Sequence, residues 1–218
     1  MKNFITFISG LKKELQKELP GLEAQLLMAP QIRIEELRYS HHDKTVKKSS
    51  VLILLYHDRN SINTVFIQRN KYDGVHSGQM SFPGGQQEKE DNNLVATALR
   101  EAYEEINVDR RNVKILGNLT PLYIPPSNYD VLPVIGYSEK KPDFIPDIIE
   151  VNKIIEVKIK DLINPNNTTK GPVWSSRNVT ISAPYYFIYN VKIWGATAMI
   201  VSELIELIKK TKDYSQLL

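Results

Sequence analysis

The chain has 218 residues, 42% of them apolar and 24% charged, which is enough to bury the core of one domain with a short extension. It contains no cysteine, which excludes disulfides, thiolate metal sites and cysteine nucleophiles and fits a reducing compartment. The net charge of +3 comes from lysines and arginines interleaved with acids, a pattern that argues against nucleic-acid binding but suits a phosphorylated small molecule.

Phe4, Ile8, Leu11, Leu15 and Leu19 recur at steps of three and four, which predicts an amphipathic helix stopped by Pro20-Gly21. Its partner is either the chain's own domain or the second subunit of a homodimer. Lys12, Lys13, Glu14 and Lys17 break up any signal-peptide core, and no run approaches the ~20 apolar residues of a membrane span. No membrane partner is expected, and the expected location is the cytoplasm. Residues 29–48 read as polar and irregular, with His41 and His42 as solvated loop residues. Residues 1–48 therefore form an N-terminal helix and extension, and 49–218 the main domain.

Val51–His57 and Thr64–Arg69 read as strands joined by the turn Asp58-Arg59-Asn60. Met80–Phe82 is a short strand entering Pro83-Gly84-Gly85. A helix is predicted from Asn93 to Ile106, with Leu94, Ala98, Ala102 and Ile106 as its packing stripe. Val113–Leu119, Val131–Tyr137, Ile154–Ile159 and Val179–Ile188 are further strands, and Asn164-Pro165-Asn166-Asn167 marks a loop. A last helix spans Ala196–Lys210, burying Ile200, Leu204, Leu207 and Ile208. Without regular βαβ alternation, the expected class is α+β with a mixed sheet and helices on both faces.

The chemistry concentrates in Arg100-Glu101-Ala102-Tyr103-Glu104-Glu105, which places three carboxylates on about 100° of one helix face. They repel one another at the helix end where the dipole favours cations. Arg100 offsets part of this by pairing with Glu104 at i+4, and Mg²⁺ or Mn²⁺ would offset more. A solvated acidic face is the plain alternative. Upstream, Ser81-Phe82-Pro83-Gly84-Gly85 lets backbone approach a ligand closely.

Together, Gly85, Asp91 and the run Arg100 to Val108 resemble the Nudix box, a specific match of about 24 residues. The resemblance implies an α/β/α sandwich and hydrolysis of a diphosphate bond linking a nucleoside to another moiety. It implies Glu101 and Glu105 as principal metal ligands, Glu104 as a further ligand and the Gly84 carbonyl as another. Arg100 would orient a glutamate. The box departs from the general pattern in three ways: Asp91 replaces Glu, the loop is one residue longer, and Asn107 replaces a glycine.

The stretch from Arg69 to Gly85 is similar to the additional motif of the coenzyme A diphosphatase branch, matching at Arg69, Gly78 and Phe82-Pro83-Gly84-Gly85. Trp194-Gly195-Ala196-Thr197-Ala198 also resembles that branch. Asn70 and Gly74 depart from it, the latter where an arginine belongs; Lys71 or His76 would have to compensate. Arg69, His76, Gly84 and Gly85 are thus candidate substrate contacts, and Trp194 is expected in the core. The implied products from coenzyme A are 4′-phosphopantetheine and adenosine 3′,5′-bisphosphate. Glu101, Glu104 and Glu150 are rival general bases. Alternative readings are a Nudix pyrophosphatase for ADP-ribose or nucleoside triphosphates, and a non-catalytic nucleotide-binding regulatory module.

Overall fold

The apolar run at Val51–Tyr56 is a strand with both faces buried, and it organises the molecule. In the computed structural model, which describes residues 2–34, 46–70, 78–174 and 179–212, this strand is β1 (Lys47–Asp58). Ile53 and Leu55 enter one hydrophobic cluster, while Leu52, Leu54 and Tyr56 enter another on the opposite face. All five are fully buried, so strand alternation here distributes apolar residues between two cores.

β1 pairs in parallel with β7 (Tyr129–Ser138) from Lys47 to Tyr56. On its other side it meets β4 (Gly84–Gln86) first and then β2 (Ser61–Arg69), both antiparallel. The β1–β2 turn places Arg59 and Asn60 at φ 45° and 64°, the left-handed pair that a two-residue hairpin takes. β3 (Met80–Ser81) and β8 (Val151–Lys158) pair with β2, while β5 (Lys114–Asn118) and β6 (Leu122–Ile124) pair with β7. The result is a mixed eight-stranded sheet. β9 (Thr168–Trp174), β10 (Thr180–Ile188) and β11 (Val191–Trp194) form a second, antiparallel sheet.

Helices cover both faces, as the sequence predicts. α1 (Lys2–Glu14) buries Phe4, Phe7, Ile8 and Leu11 in the same cluster as α5 (Gly195–Lys209). In this structure the helix packs on its own chain. It ends at Glu14, short of Leu19, because Gln16 and Lys17 bond back three residues and tighten the turn. The expected irregular stretch is shorter than predicted, since residues 31–34 are helical and β1 begins at Lys47; His41 and His42 lie outside the described residues.

α2 (Gly21–Leu26) is tied to α5 by the buried Glu203 carboxylate, which accepts from the Gly21 and Thr120 amides and from Gln25 Nε2 at 2.8 Å. On the other face of the large sheet lies α3 (Leu94–Ile106), pressing Ala98, Ala102 and Ile106 against Leu52, Leu54 and Tyr56. Val95 and Leu99 pack against that stripe, and the expected Leu94, at the first position of the helix, is half-buried outside it. The predicted strand to Ile159 stops at Lys158, where α4 (Ile159–Ile163) begins. Among the described residues no helix is long and apolar enough to cross a membrane.

Because α1 shares the core of α5, its loss should be felt throughout. Leu11→Ala is expected to cost about 3 kcal/mol and to leave one cooperative denaturant transition. A separate early transition confined to the N-terminal segment would contradict this.

Candidate active site

The site forms where β4 wedges between β1 and β2. Gly84 N–H and C=O serve the site while its backbone lies against β1. A Cβ at Gly84 would collide with Ser50 O, and with Val51 Cα at 2.6 Å, and the residue sits at φ +154°. At Gly85 a Cβ would strike the Glu101 carboxylate itself. Glycine is therefore required twice, once for β1 and once for the helix acid.

The acids are delivered by α3. Asn93 caps its start, accepting from the Ala96 amide at 2.9 Å, and Asn107 ends it at φ 60°, ψ 32° in the left-handed conformation that a glycine usually takes. The three glutamates are graded in depth. The Glu105 side chain is 1% exposed, Glu101 13% and Glu104 54%. The shared helix face is real, but it runs from the protein interior out to solvent.

Glu105 Oε2 accepts from the Gly84 amide at 2.8 Å. Its Oε1 is buried without a hydrogen-bond partner; the nearest cation is Arg69 Nη1 at 3.4 Å. Burial pushes the Glu105 carboxyl up from 4.5 to about 7, against the pull of Arg69 and the Gly84 amide. Burial also raises Glu101, with Arg100 opposing and Glu104 and Glu150 adding to the rise. These are carboxylates short of positive charge.

Arg100 serves the outer acids. It reaches Asp91 through Nε at 3.1 Å and Nη2 at 3.0 Å, Glu101 at 3.0 Å, Glu104 at 2.7 Å and the Gln86 carbonyl at 3.1 Å. Asp91 also accepts from Thr97 Oγ1 and the Glu88 amide, and the Arg100 hydrogen bond is the main reason its carboxyl falls to about 2. Asp91 thus anchors the arginine that sets the glutamates, a role for which the sequence offered only its place in the box.

Arg69, at the end of β2, donates from Nη2 to the Gly84 carbonyl at 2.6 Å. It lines, with Gly84 and Gly85, a cavity of about 460 Å³ whose mainly apolar wall includes Val51, Tyr129, Ile181 and Trp194. Trp194 is half-buried on that wall rather than in the core, because β11 delivers it at the start of α5. Tyr129 and Ile181 come from β7 and from the second sheet, and no local signal in the sequence announces them. Asn70 binds the Ile148 and Ile149 carbonyls, bringing the Glu150 loop near the helix acids. His76, Gly74 and Lys71 lie outside the described residues.

Among the described residues no three Asp, Glu or His side chains close around one point. The oxygen set nevertheless fits a hard divalent cation: the buried, unpartnered Glu105 Oε1, the adjacent Glu101 and the Gly84 carbonyl on the same turn.

Comparison with known proteins gives the family and the fold. The NUDIX domain model matches residues 46–166. A relative in Photorhabdus laumondii, "Uncharacterized Nudix hydrolase NudL", is 35% identical over 129 residues, covering 59% of this chain and 68% of its own. The Yersinia pestis NudL is 27% identical over 173 residues, covering 77% and 83%. Two crystal structures share the fold: the M. Smegmatis Nudix hydrolase RenU (TM-score 0.51, 10% identity, 75% and 86% covered) and a MutT/nudix family protein from Enterococcus faecalis (0.50, 12%, 86% and 71%).

A carboxyl whose folded pKa is raised takes up a proton on folding. The buried charge of Glu105 therefore costs stability in full above pH 7, less as pH falls towards 4.5, and nothing below. In chelator, Glu105→Gln should be more stable than the parent at pH 8, by on the order of 3 kcal/mol, and the gap should close near pH 4.5. Parallel stability curves for the two proteins would contradict it. Gly85→Ala should displace Glu101 and cut turnover at least about tenfold with little change in Tm.

Proposed function

The chain belongs to the NUDIX domain family and is a Nudix hydrolase of nucleoside diphosphate-linked substrates, and we propose that it cleaves coenzyme A or an acyl-coenzyme A in the cytoplasm. The products are 4′-phosphopantetheine and adenosine 3′,5′-bisphosphate. The observation that carries this reading is the cavity beside Arg69, Gly84 and Gly85. Its cationic and backbone-rich end suits a diphosphate, and its apolar walls suit a substrate with a long, weakly polar arm. The Arg69 and Phe82-Pro83-Gly84-Gly85 spacing supports the same substrate.

Nudix hydrolases generally use divalent metal ions, and the oxygen donors here favour Mg²⁺ or Mn²⁺. Glu105, Glu101 and the Gly84 carbonyl would hold the ion, with Glu104 as an outer ligand. When bound, the cation neutralises diphosphate oxygens and acidifies water. The chain's residues do the rest. Gly84 N–H fixes the Glu105 carboxylate, and Gly85 leaves room for Glu101. Arg100, pinned by Asp91, holds Glu101 and Glu104 in place. Arg69 faces the diphosphate from the cavity wall, with His76 as a further candidate contact. Water attacks one phosphorus, the other phosphate leaves, and the water proton passes to a carboxylate, with Glu101, Glu104 and Glu150 as candidates.

A mass-spectrometric product assay with Mg²⁺ or Mn²⁺ tests the substrate. Coenzyme A, acetyl-coenzyme A, ADP-ribose and nucleoside triphosphates form the panel. Release of 4′-phosphopantetheine is expected, falling at least about 100-fold in Glu105→Gln. Cleavage of ADP-ribose or a nucleoside triphosphate alone would discard coenzyme A.

A further inference from the structure

Arg69 holds two oxygens that a divalent cation would also need. Its Nη2 donates to the Gly84 carbonyl at 2.6 Å, and its Nη1 lies 3.4 Å from the buried Glu105 Oε1. With its Nη2 2.6 Å from the Gly84 carbonyl, the guanidinium takes an approach that a cation bound to both oxygens would also need, and the single Glu105 carboxylate would have to offset both positive groups.

The backbone of Arg69 is fixed. Its amide donates to Gln79 O at 3.1 Å, the next amide, Asn70, donates to Glu150 O at 2.9 Å, and β2 is paired on both edges. Arg69 continues the face of β2 that Val65 and Ile67 turn toward α3, and the register shift beside it adds its extra residue, Asn152, to β8. That side chain remains 24% exposed and forms part of the cavity wall. The guanidinium can therefore leave Gly84 by side-chain torsions alone, and the space it would enter is the cavity.

We propose that Arg69 is an exchangeable positioning residue, which competes with the divalent cation for the Gly84 carbonyl and Glu105 and swings into the cavity when the cation is loaded. The inference rests on reading Glu105 and Gly84 as cation ligands. Arg69 has two stations. At the first it partly compensates a carboxylate buried beside the Gly84 turn. At the second it meets the diphosphate, an anion that repays the lost contacts. Cation and diphosphate then bind with positive coupling, since each favours the outward arginine. Lysine at this position would keep the charge without the planar fork that reaches both oxygens together.

Mn²⁺ binding, read by electron paramagnetic resonance without any substrate, tests this directly. Arg69→Met should bind Mn²⁺ about fivefold or more tightly than the parent, with Arg69→Lys between them and Glu105→Gln weaker than all three. Equal or weaker binding by Arg69→Met, while Glu105→Gln still loses affinity, would overturn the competition and leave the metal site standing. Mn²⁺ binding indifferent to Glu105→Gln would sink both. Should Arg69→Met fail to fold, the arginine Nε–Hε NMR signals of the parent protein decide the matter. The signal missing from Arg69→Lys should move on saturation with Mg²⁺, and a signal that stays put would overturn the proposal.

Discussion

Glu105, in the last turn of its helix, has its carboxylate 1% exposed, one oxygen bonded to the Gly84 amide and the other without a hydrogen bond. An ionised carboxylate in that position is expensive unless positive charge comes to it. The surrounding construction follows from that cost. β4 brings the Gly84 amide, the end of β2 brings Arg69, and the turn offers oxygen donors suited to a hard cation. An apolar isostere at Glu105 would pack without these costs, so the carboxylate marks a place built for function more than for stability.

The sheet explains how such a carboxylate meets a cavity. β1 is paired with β7 from Lys47 to Tyr56, but its other edge is divided between β4 and β2. At that division the Pro83 carbonyl accepts from the Leu52 amide, and the chain turns through Gly84 and Gly85 directly above the α3 acids. β6, the second sheet and the start of α5 then wall the opening. The scaffold is rigid because both faces of β1 are core, so the carboxylates, the turn and the cavity hold fixed relative positions.

The sequence made legible those parts whose signals are local. A six-residue apolar run with both faces buried, the helical period of α3 and α5, and the left-handed Asn107 each have a direct physical signature. The acid cluster was legible because three glutamates on one helix face are hard to justify otherwise. Strands β4, β6, β9 and β11 were not. Gly84–Gln86 has no strand propensity and is extended only because Ser49–Val51 pairs with it. β9 carries Gly171 and Pro172, which argue against a central strand, and it lies at the edge of its sheet, where proline is tolerated. The Arg69 contact with Gly84 and the place of Trp194 depend on pairing between distant segments, which no window of sequence contains.

The central claim is that Glu105, Glu101 and the Gly84 carbonyl form one cation site. Anomalous diffraction from crystals soaked in Mn²⁺ tests it most directly. The account predicts a peak about 2.1 Å from both Glu105 Oε1 and the Gly84 carbonyl oxygen, with Arg69 turned away from them. A peak held only by the exposed Glu104, or none near the turn while Arg69 keeps its grip on Gly84, would contradict it.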